Sequence, residues 1–181
     1  MNNPFLIGKS IYLRSLTVAD IDDSYYRWFN DKETTQNNSH GRLPENRESA
    51  MRFFEGLSSD KIVHFAIVKK ENDIHIGCCS LQNIDWISRT AEMARIIGEK
   101  EYRSKGIGTE VAKLLLEYGF NSLNLNRIWV GNISNNIAAI KSVDKLGFKV
   151  EGILRSSIYK NSKYHDVIIR GILKDEYLLN E

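Results

Sequence analysis

The sequence predicts an α+β, three-layer fold: a central mixed, mostly antiparallel sheet flanked by helices. Three observations carry that expectation. The apolar runs "IVHFAIVKK" and "IHIGCCSLQNI" flank the polar link "ENDI" and read as a hairpin. Residues 105–122 place Ile107, Val111, Leu114, Leu115 and Tyr118 on one face at helical spacing. The closing segments "FKVEGILRSSIYKN" and "KYHDVIIRGIL" form two final strands joined at "KNSK".

The remaining elements follow in order. "SIYLRSL" (residues 10–16) alternates apolar and polar side chains and reads as a first strand. Thr17 can cap the helix that follows, with Asp20 in its first turn. Residues 30–44 are polar and irregular, and "ENRESAMRFFEGL" is a second short helix. "RTAEMARIIGE" and "NRIWVGNI" are strands, and "NNIAAIKSVDKLG" is a helix ending at Gly147. With only Pro4 and Pro44 and no low-complexity linker, residues 1–181 read as one domain.

Charge is nearly balanced, with 25 Lys and Arg against 23 Asp and Glu, which gives no support for a nucleic-acid partner. Neighbouring strand side chains point to opposite faces, so Cys78 and Cys79 read as packed, reduced thiols rather than a disulfide or a metal site. The start "MNNPFLIGKS" lacks the pattern of a signal peptide, and no apolar run approaches the ~20 residues that span a bilayer. The expectation is a soluble cytoplasmic protein with no membrane partner and no metal.

The stretch "EKEYRSKGIGTEVAKLLLEYGF" puts Gly106 and Gly108 where a strand turns into a helix. Glycine is costly inside a helix and permissive in a tight turn. A helix N-terminus presents unpaired N–H groups carrying roughly half a positive charge, which suits a phosphate. Arg103 and Lys105 add full charges; the alternative is a plain turn with solvated basic residues. The P-loop pattern fails because Gly106 follows Lys105, and the dinucleotide fingerprint fails because Val111 occupies its third glycine position.

The segment "AEMARIIGEKEYRSKGIGTEVAKLLLEYGF" resembles the acetyl-CoA pyrophosphate motif of the GNAT superfamily of acyl-CoA N-acyltransferases. "NNIAAIKSVDKLGFKVEG" resembles its second block, and with "YLRSLTVAD" and "DVIIRGILKDEY" the resemblance spans nearly the whole chain. It is nearest to the ribosomal-protein N-terminal, spermidine and amino-sugar acetyltransferases. The resemblance implies acetyl-CoA as co-substrate, its pyrophosphate held by N–H groups of Arg103, Ser104, Lys105, Gly106, Ile107, Gly108 and Thr109. The strand end Ile96, Ile97 and Gly98 would pair with the pantetheine amides, and Asn136 would hydrogen-bond the same arm. Lys145 is either a partner of the CoA phosphates or a solvated helix lysine.

Acetyl transfer to an amine needs a neutral nucleophile. An amine of pKa ~10.4 is neutral in less than roughly one molecule in a thousand at pH 7, a cost of about 4–5 kcal/mol. A general base removes that proton, and Glu92 is the candidate; the alternative is an exposed, paired strand carboxylate. Alternation puts Glu92, Ala94 and Ile96 on one face and Met93, Arg95 and Ile97 on the other. Relatives carry Tyr or Ser where this chain has Val143 and Ala139, so the general acid stays open among Ser142, Tyr159, Tyr164 and water.

Trp28, Asn30, Asp31 and His40, with Trp86 from "NIDWIS", are the candidate acceptor contacts, although Trp28 also fits core packing. The run "WFND" and the loop "NNSHGRLP" resemble enzymes acting on nucleotide-linked amino sugars, which makes such a small-molecule amine the favoured acceptor. A protein N-terminus or a polyamine is the alternative, and a non-catalytic CoA-binding module a third reading. An exposed edge strand near residues 167–173 would suit a homodimer.

Overall fold

The computed structural model describes residues 1–21, 23–57 and 59–178. Eight strands form one sheet: β1 (Leu6–Ile7), β2 (Ile11–Ser15), β3 (Val63–Lys69), β4 (His75–Asp85), β5 (Thr90–Ile97), β6 (Arg127–Ile133), β7 (Lys149–Lys160) and β8 (Lys163–Leu173). Their spatial order is β1-β2-β3-β4-β5-β6-β8-β7. Among the described residues six α-helices accompany them: α1 (Asp23–Asn30), α2 (Lys32–Thr35), α3 (Arg47–Glu55), α4 (Ile107–Glu117), α5 (Ile137–Asp144) and α6 (Lys174–Leu178). The mixed, three-layer expectation holds.

Every strand pair is antiparallel except β5 with β6. That parallel ladder is short, joining Thr90–Glu92 to Arg127–Trp129. Beyond it β5 continues to Ile97 and β6 to Ile133, and the two arms part. At ~3.3 Å per residue, the β5 arm extends ~16 Å past Glu92. Backbone groups on the facing edges of these arms have no ladder partner, so the sheet holds an open gap lined with donors and acceptors.

Alternation along the strands feeds two cores. On one face, α4 and α5 pack Val111, Leu115, Leu116 and Val143 onto Ile67, Leu81, Met93, Ile128 and Ile172. On the other, Tyr25, Trp28 and Phe29 of α1 and Ala50 of α3 cover Tyr12, Ala66, Val68 and Cys78. Cys78 and Cys79 fall in different cores and are both free, as their adjacency on a strand requires. Burying a side chain of leucine size stabilises by roughly 1.5–3 kcal/mol, so α4 is anchored chiefly by its apolar stripe.

The helix expected from Thr17 begins as a separate 3-10 turn, Val18–Asp20, with α1 following from Asp23, so the Thr17 cap belongs to that turn. Asp20 reaches back to the Thr17 amide and hydroxyl at 2.7 Å each and takes a two-pronged bond from Arg14 at 2.6 and 2.7 Å. Burial pushes this carboxyl up, but the Arg14 and Thr17 hydrogen bonds outweigh that and hold it at about 2. Asn46 caps α3 by accepting from Ser49 N at 2.9 Å. Glu110 of α4 accepts from Ser10 N and Oγ at 2.7 Å, tying the β1–β2 turn to that helix.

Two further expectations are corrected. The helix over 105–122 is α-helical only to Glu117 and continues as a π-helical turn, Tyr118–Ser122. Residues 167–173 are not an edge: β8 lies between β6 and β7, because the final hairpin folds back on β6 with its second strand inward. At that end of the sheet the edge strand is β7, where Val150, Ile153 and Leu154 are exposed. Among the described residues, no helix is long and apolar enough to cross a membrane.

Candidate active site

After β5 the chain passes Gly98, makes one 3-10 turn (Lys100–Tyr102), and enters α4 through Gly106. Gly106 has φ +81°, a backbone that glycine adopts without a Cβ penalty. Arg103 N donates to Lys100 O at 3.1 Å and Thr109 N to Gly106 O at 3.0 Å. Between them, the amides of Ser104, Lys105, Gly106, Ile107 and Gly108 have no hydrogen-bond partner among the described residues. The expected seven-residue cradle thus contracts to five consecutive free N–H groups at a helix N-terminus, an arrangement made for an anion. A Cβ on Gly108 would meet only Arg95 Nε, at 3.7 Å, so the protein itself leaves this space open.

Arg103 does not project into that cradle. Its guanidinium donates to Ile97 O (3.0 Å), Gly98 O (2.7 Å) and Thr34 Oγ1 (2.6 Å), and lies 3.3 Å from Glu33 Oε1. Carbonyls at the end of β5 lack ladder partners and capture the nearest strong donor. Lys105, by contrast, is exposed, with Nζ 5.7 Å from the Tyr102 ring centroid.

Asn136 is also committed. Its side-chain carbonyl caps α5 by accepting from Ala139 N at 3.2 Å, and its amide donates to Asn37 O at 3.2 Å. Lys145 sits exposed at the C-terminal end of α5.

These bonds converge on one segment, residues 31–40, which forms a strap. Asp31 caps α2 through the Thr34 hydroxyl (2.6 Å) and amide (2.8 Å), which hold its carboxyl at about 2. Lys100 lies 3.2 Å from Asp31 and 2.8 Å from Glu33. At the other end, Lys160 Nζ donates to the carbonyls of Thr35, Asn38 (3.0 Å) and His40 (2.7 Å). The strap is therefore fastened to the β5 arm by Lys100 and Arg103. Asn136, just past the β6 arm, and Lys160, on β7, fasten its other end.

Glu92 stands at the last rung of the parallel ladder, opposite Trp129, where the gap begins. Its neighbours Ala91 and Met93 belong to the α4 core, so Glu92 faces the side of α1 and α3. Its Oε2 accepts from Gln82 Nε2 (3.2 Å) and Asn83 Nδ2 (2.8 Å), and no cation pairs with it among the described residues. Gln82 and Asn83 were not anticipated; Gln82 follows from the β4–β5 register, which sets it directly opposite Glu92.

Val143, where relatives carry Tyr, is fully buried; of the candidates for the general acid, Tyr159 and Tyr164 pair with each other at 5.0 Å at the end of the last hairpin. Ser142 lies between α4 and β5, its Oγ 3.0 Å from Thr109 Oγ1 and accepting from Arg95 at 3.1 Å.

The five acceptor candidates do not form one wall. Trp28 is 3% exposed, donates to Glu99 Oε1 at 2.9 Å, and packs so tightly on Gly98 that a Cβ there would overlap its indole. Asn30 exchanges two hydrogen bonds with the Glu45 backbone, Asp31 caps α2, and the His40 ring packs on Phe29 at 4.8 Å. Trp86 is 45% exposed but donates to Asp60 O in the turn between β4 and β5. An antiparallel hairpin puts that turn at the closed end of the gap, ~23 Å along β5 from Ile97.

A family model for the acetyltransferase (GNAT) domain matches residues 10–149. Probable N-acetyltransferase YjcK of Bacillus subtilis is 30% identical over 180 residues, 94% of this chain and 98% of that protein. Spermidine N(1)-acetyltransferase of Escherichia coli is 38% identical over 102 residues, 56% of this chain and 54% of that enzyme. The crystal structure of spermidine N-acetyltransferase from Vibrio cholerae in complex with CoA and spermine superposes with TM-score 0.86 at 25% identity, covering 93% of this chain and 98% of that one. Matched over most of its length by the family model and nearly end to end by an N-acetyltransferase, the chain belongs to the GNAT family and transfers the acetyl group of acetyl-CoA to an amine.

Proposed function

We propose that the acceptor is a primary amine of an aliphatic polyamine and that Glu92 is the general base. The observation that carries this reading is the Glu92 carboxylate itself. It sits where the strands part, held by two neutral amides and paired with no cation among the described residues. A carboxylate left in that state suits an ammonium group as its partner. The spermidine acetyltransferases among the relatives support the same acceptor class. The amino-sugar acceptor rested on an aromatic and polar wall, and it loses support because Trp28 is buried and Trp86 is remote.

In this reading the five free amides and the gap edges hold acetyl-CoA with its thioester near Glu92. The ammonium gives one proton to the Glu92 carboxylate, which passes it to solvent; the neutral amine forms the C–N bond, the C–S bond breaks, and the second proton shed by the nitrogen goes through solvent to the leaving thiolate. Glu92→Gln keeps the hydrogen-bonding shape and removes the base. We expect kcat/KM to fall about 10²–10⁴-fold with CoA affinity little changed. Thiol release should be measured with acetyl-CoA and, separately, spermidine, spermine, a nucleotide-linked amino sugar and an N-terminal peptide. Release with the polyamines is expected; release only with the peptide or only with the sugar overturns the acceptor.

A further inference from the structure

A guanidinium left without an anion is the feature of this molecule that the acetyl-transfer reading has not used. Arg95 lies on the β5 arm beyond Glu92, on the face covered by α4 and α5. It makes one hydrogen bond among the described residues, from one terminal nitrogen to the neutral Ser142 hydroxyl at 3.1 Å. No carboxylate pairs with it, although burial is strong enough to pull its pKa down to about 10. The side chain is half-buried, and a charge partly withdrawn from water is stabilised by an anion placed beside it. The Arg95 Nε stands 3.7 Å from the point where a Gly108 Cβ would be, beside the five free amides. On the other arm of the gap, Asn132 buries a side-chain oxygen with no hydrogen-bond partner, so both walls hold polar groups that the protein alone leaves unmatched.

We infer that Arg95 is the interior counter-charge of the cofactor site, its guanidinium binding the diphosphate of CoA alongside the amides of residues 104–108. The inference rests on the cofactor-loop reading above and adds to its backbone amides a charged side chain from the β5 arm. The planar fork of arginine matches phosphate oxygens, and its Nε, which has no hydrogen-bond partner among the described residues, lies beside the open space at Gly108, 3.7 Å from where a Cβ would be. Ser142 and Thr109, 3.0 Å apart, hold the guanidinium at the mouth of that space.

The test is the affinity of Arg95→Met for CoA and for pantetheine, which lacks the diphosphate, by calorimetry and NMR titration. CoA should bind about 10- to 100-fold more weakly, the size of a charged hydrogen-bonded contact, while pantetheine affinity changes less than twofold. Because Arg95 makes a single hydrogen bond, to a neutral hydroxyl, the ligand-free variant should melt close to wild type. In the wild-type protein, the Arg95 Nε–H resonance should move on adding CoA and move less with pantetheine. This second measurement needs no folded variant. Unchanged CoA affinity, or equal weakening of CoA and pantetheine, overturns the inference. Gly108→Asp separates the two readings. If it abolishes CoA binding while Arg95→Met does not, the inference alone falls; if neither variant alters binding, the loop reading falls too.

Discussion

The turn at residues 104–108 and the strap at residues 31–40 lie on either side of one gap, and they treat their polar groups in opposite ways. The turn leaves five successive amides without partners among the described residues. The strap spends its carbonyls and carboxylates on Lys100, Arg103, Asn136 and Lys160. Unmatched groups mark where a ligand is expected, and matched ones mark architecture. By this measure Arg103 and Asn136 belong to the strap's fastenings and Gly106 and Gly108 to the binding surface.

The comparison breaks most readily at Gly108. A carboxylate placed there by Gly108→Asp would repel a diphosphate at close range, and CoA affinity should fall about 100-fold or more by calorimetry. A variant that binds normally would show that the free amides are not the anion site.

The strap is tested next. Lys160→Met removes three hydrogen bonds to strap carbonyls, and stability measured by urea unfolding should drop by about 2 kcal/mol. CoA affinity should shift much less than in Gly108→Asp. Equal effects on affinity would erase the distinction between the two regions.

Acid sensitivity probes a tie outside both. Asp20 titrates near 2 in the folded chain, below its ordinary value of 3.8. Its contribution of about 2 kcal/mol is complete above pH 4 and disappears as pH falls towards 2. Asp20→Asn should flatten that part of the stability profile measured by denaturant titration across pH.

The smallest effect is expected at Trp86. Trp86→Ala should leave CoA affinity and turnover within twofold of wild type, because the indole sits at the closed end of the gap. A large loss of turnover would return this residue to the acceptor site.

What the sequence discloses here is what local periodicity and local chemistry determine. The apolar stripe of α4, the opposed faces of Cys78 and Cys79, and the glycine-bearing turn were legible because each depends on neighbours within a few positions. The Arg103 side chain was not legible, for the complementary reason. Spacing places its Cα beside the cradle, but a long side chain goes to the strongest acceptors, here the Ile97 and Gly98 carbonyls. The four-residue α2 escaped notice because it depends on the Asp31 cap and on bonds reaching from distant parts of the chain. Gln82 required the hairpin register, and the inward position of β8 required the order of the whole sheet.

Since the strap is tied at both ends, the mouth of the gap is a closed ring rather than an open fork. A long molecule can be threaded through a ring or admitted by unbuckling it, and either route is slower than docking into an open cleft. On the proposed cofactor site, loosening either buckle, Arg103 or Lys160, is expected to change how fast the coenzyme exchanges, and altering the amides to change how tightly it is held. Loosening a buckle should quicken arrival and departure together while leaving the equilibrium between them nearly where it was.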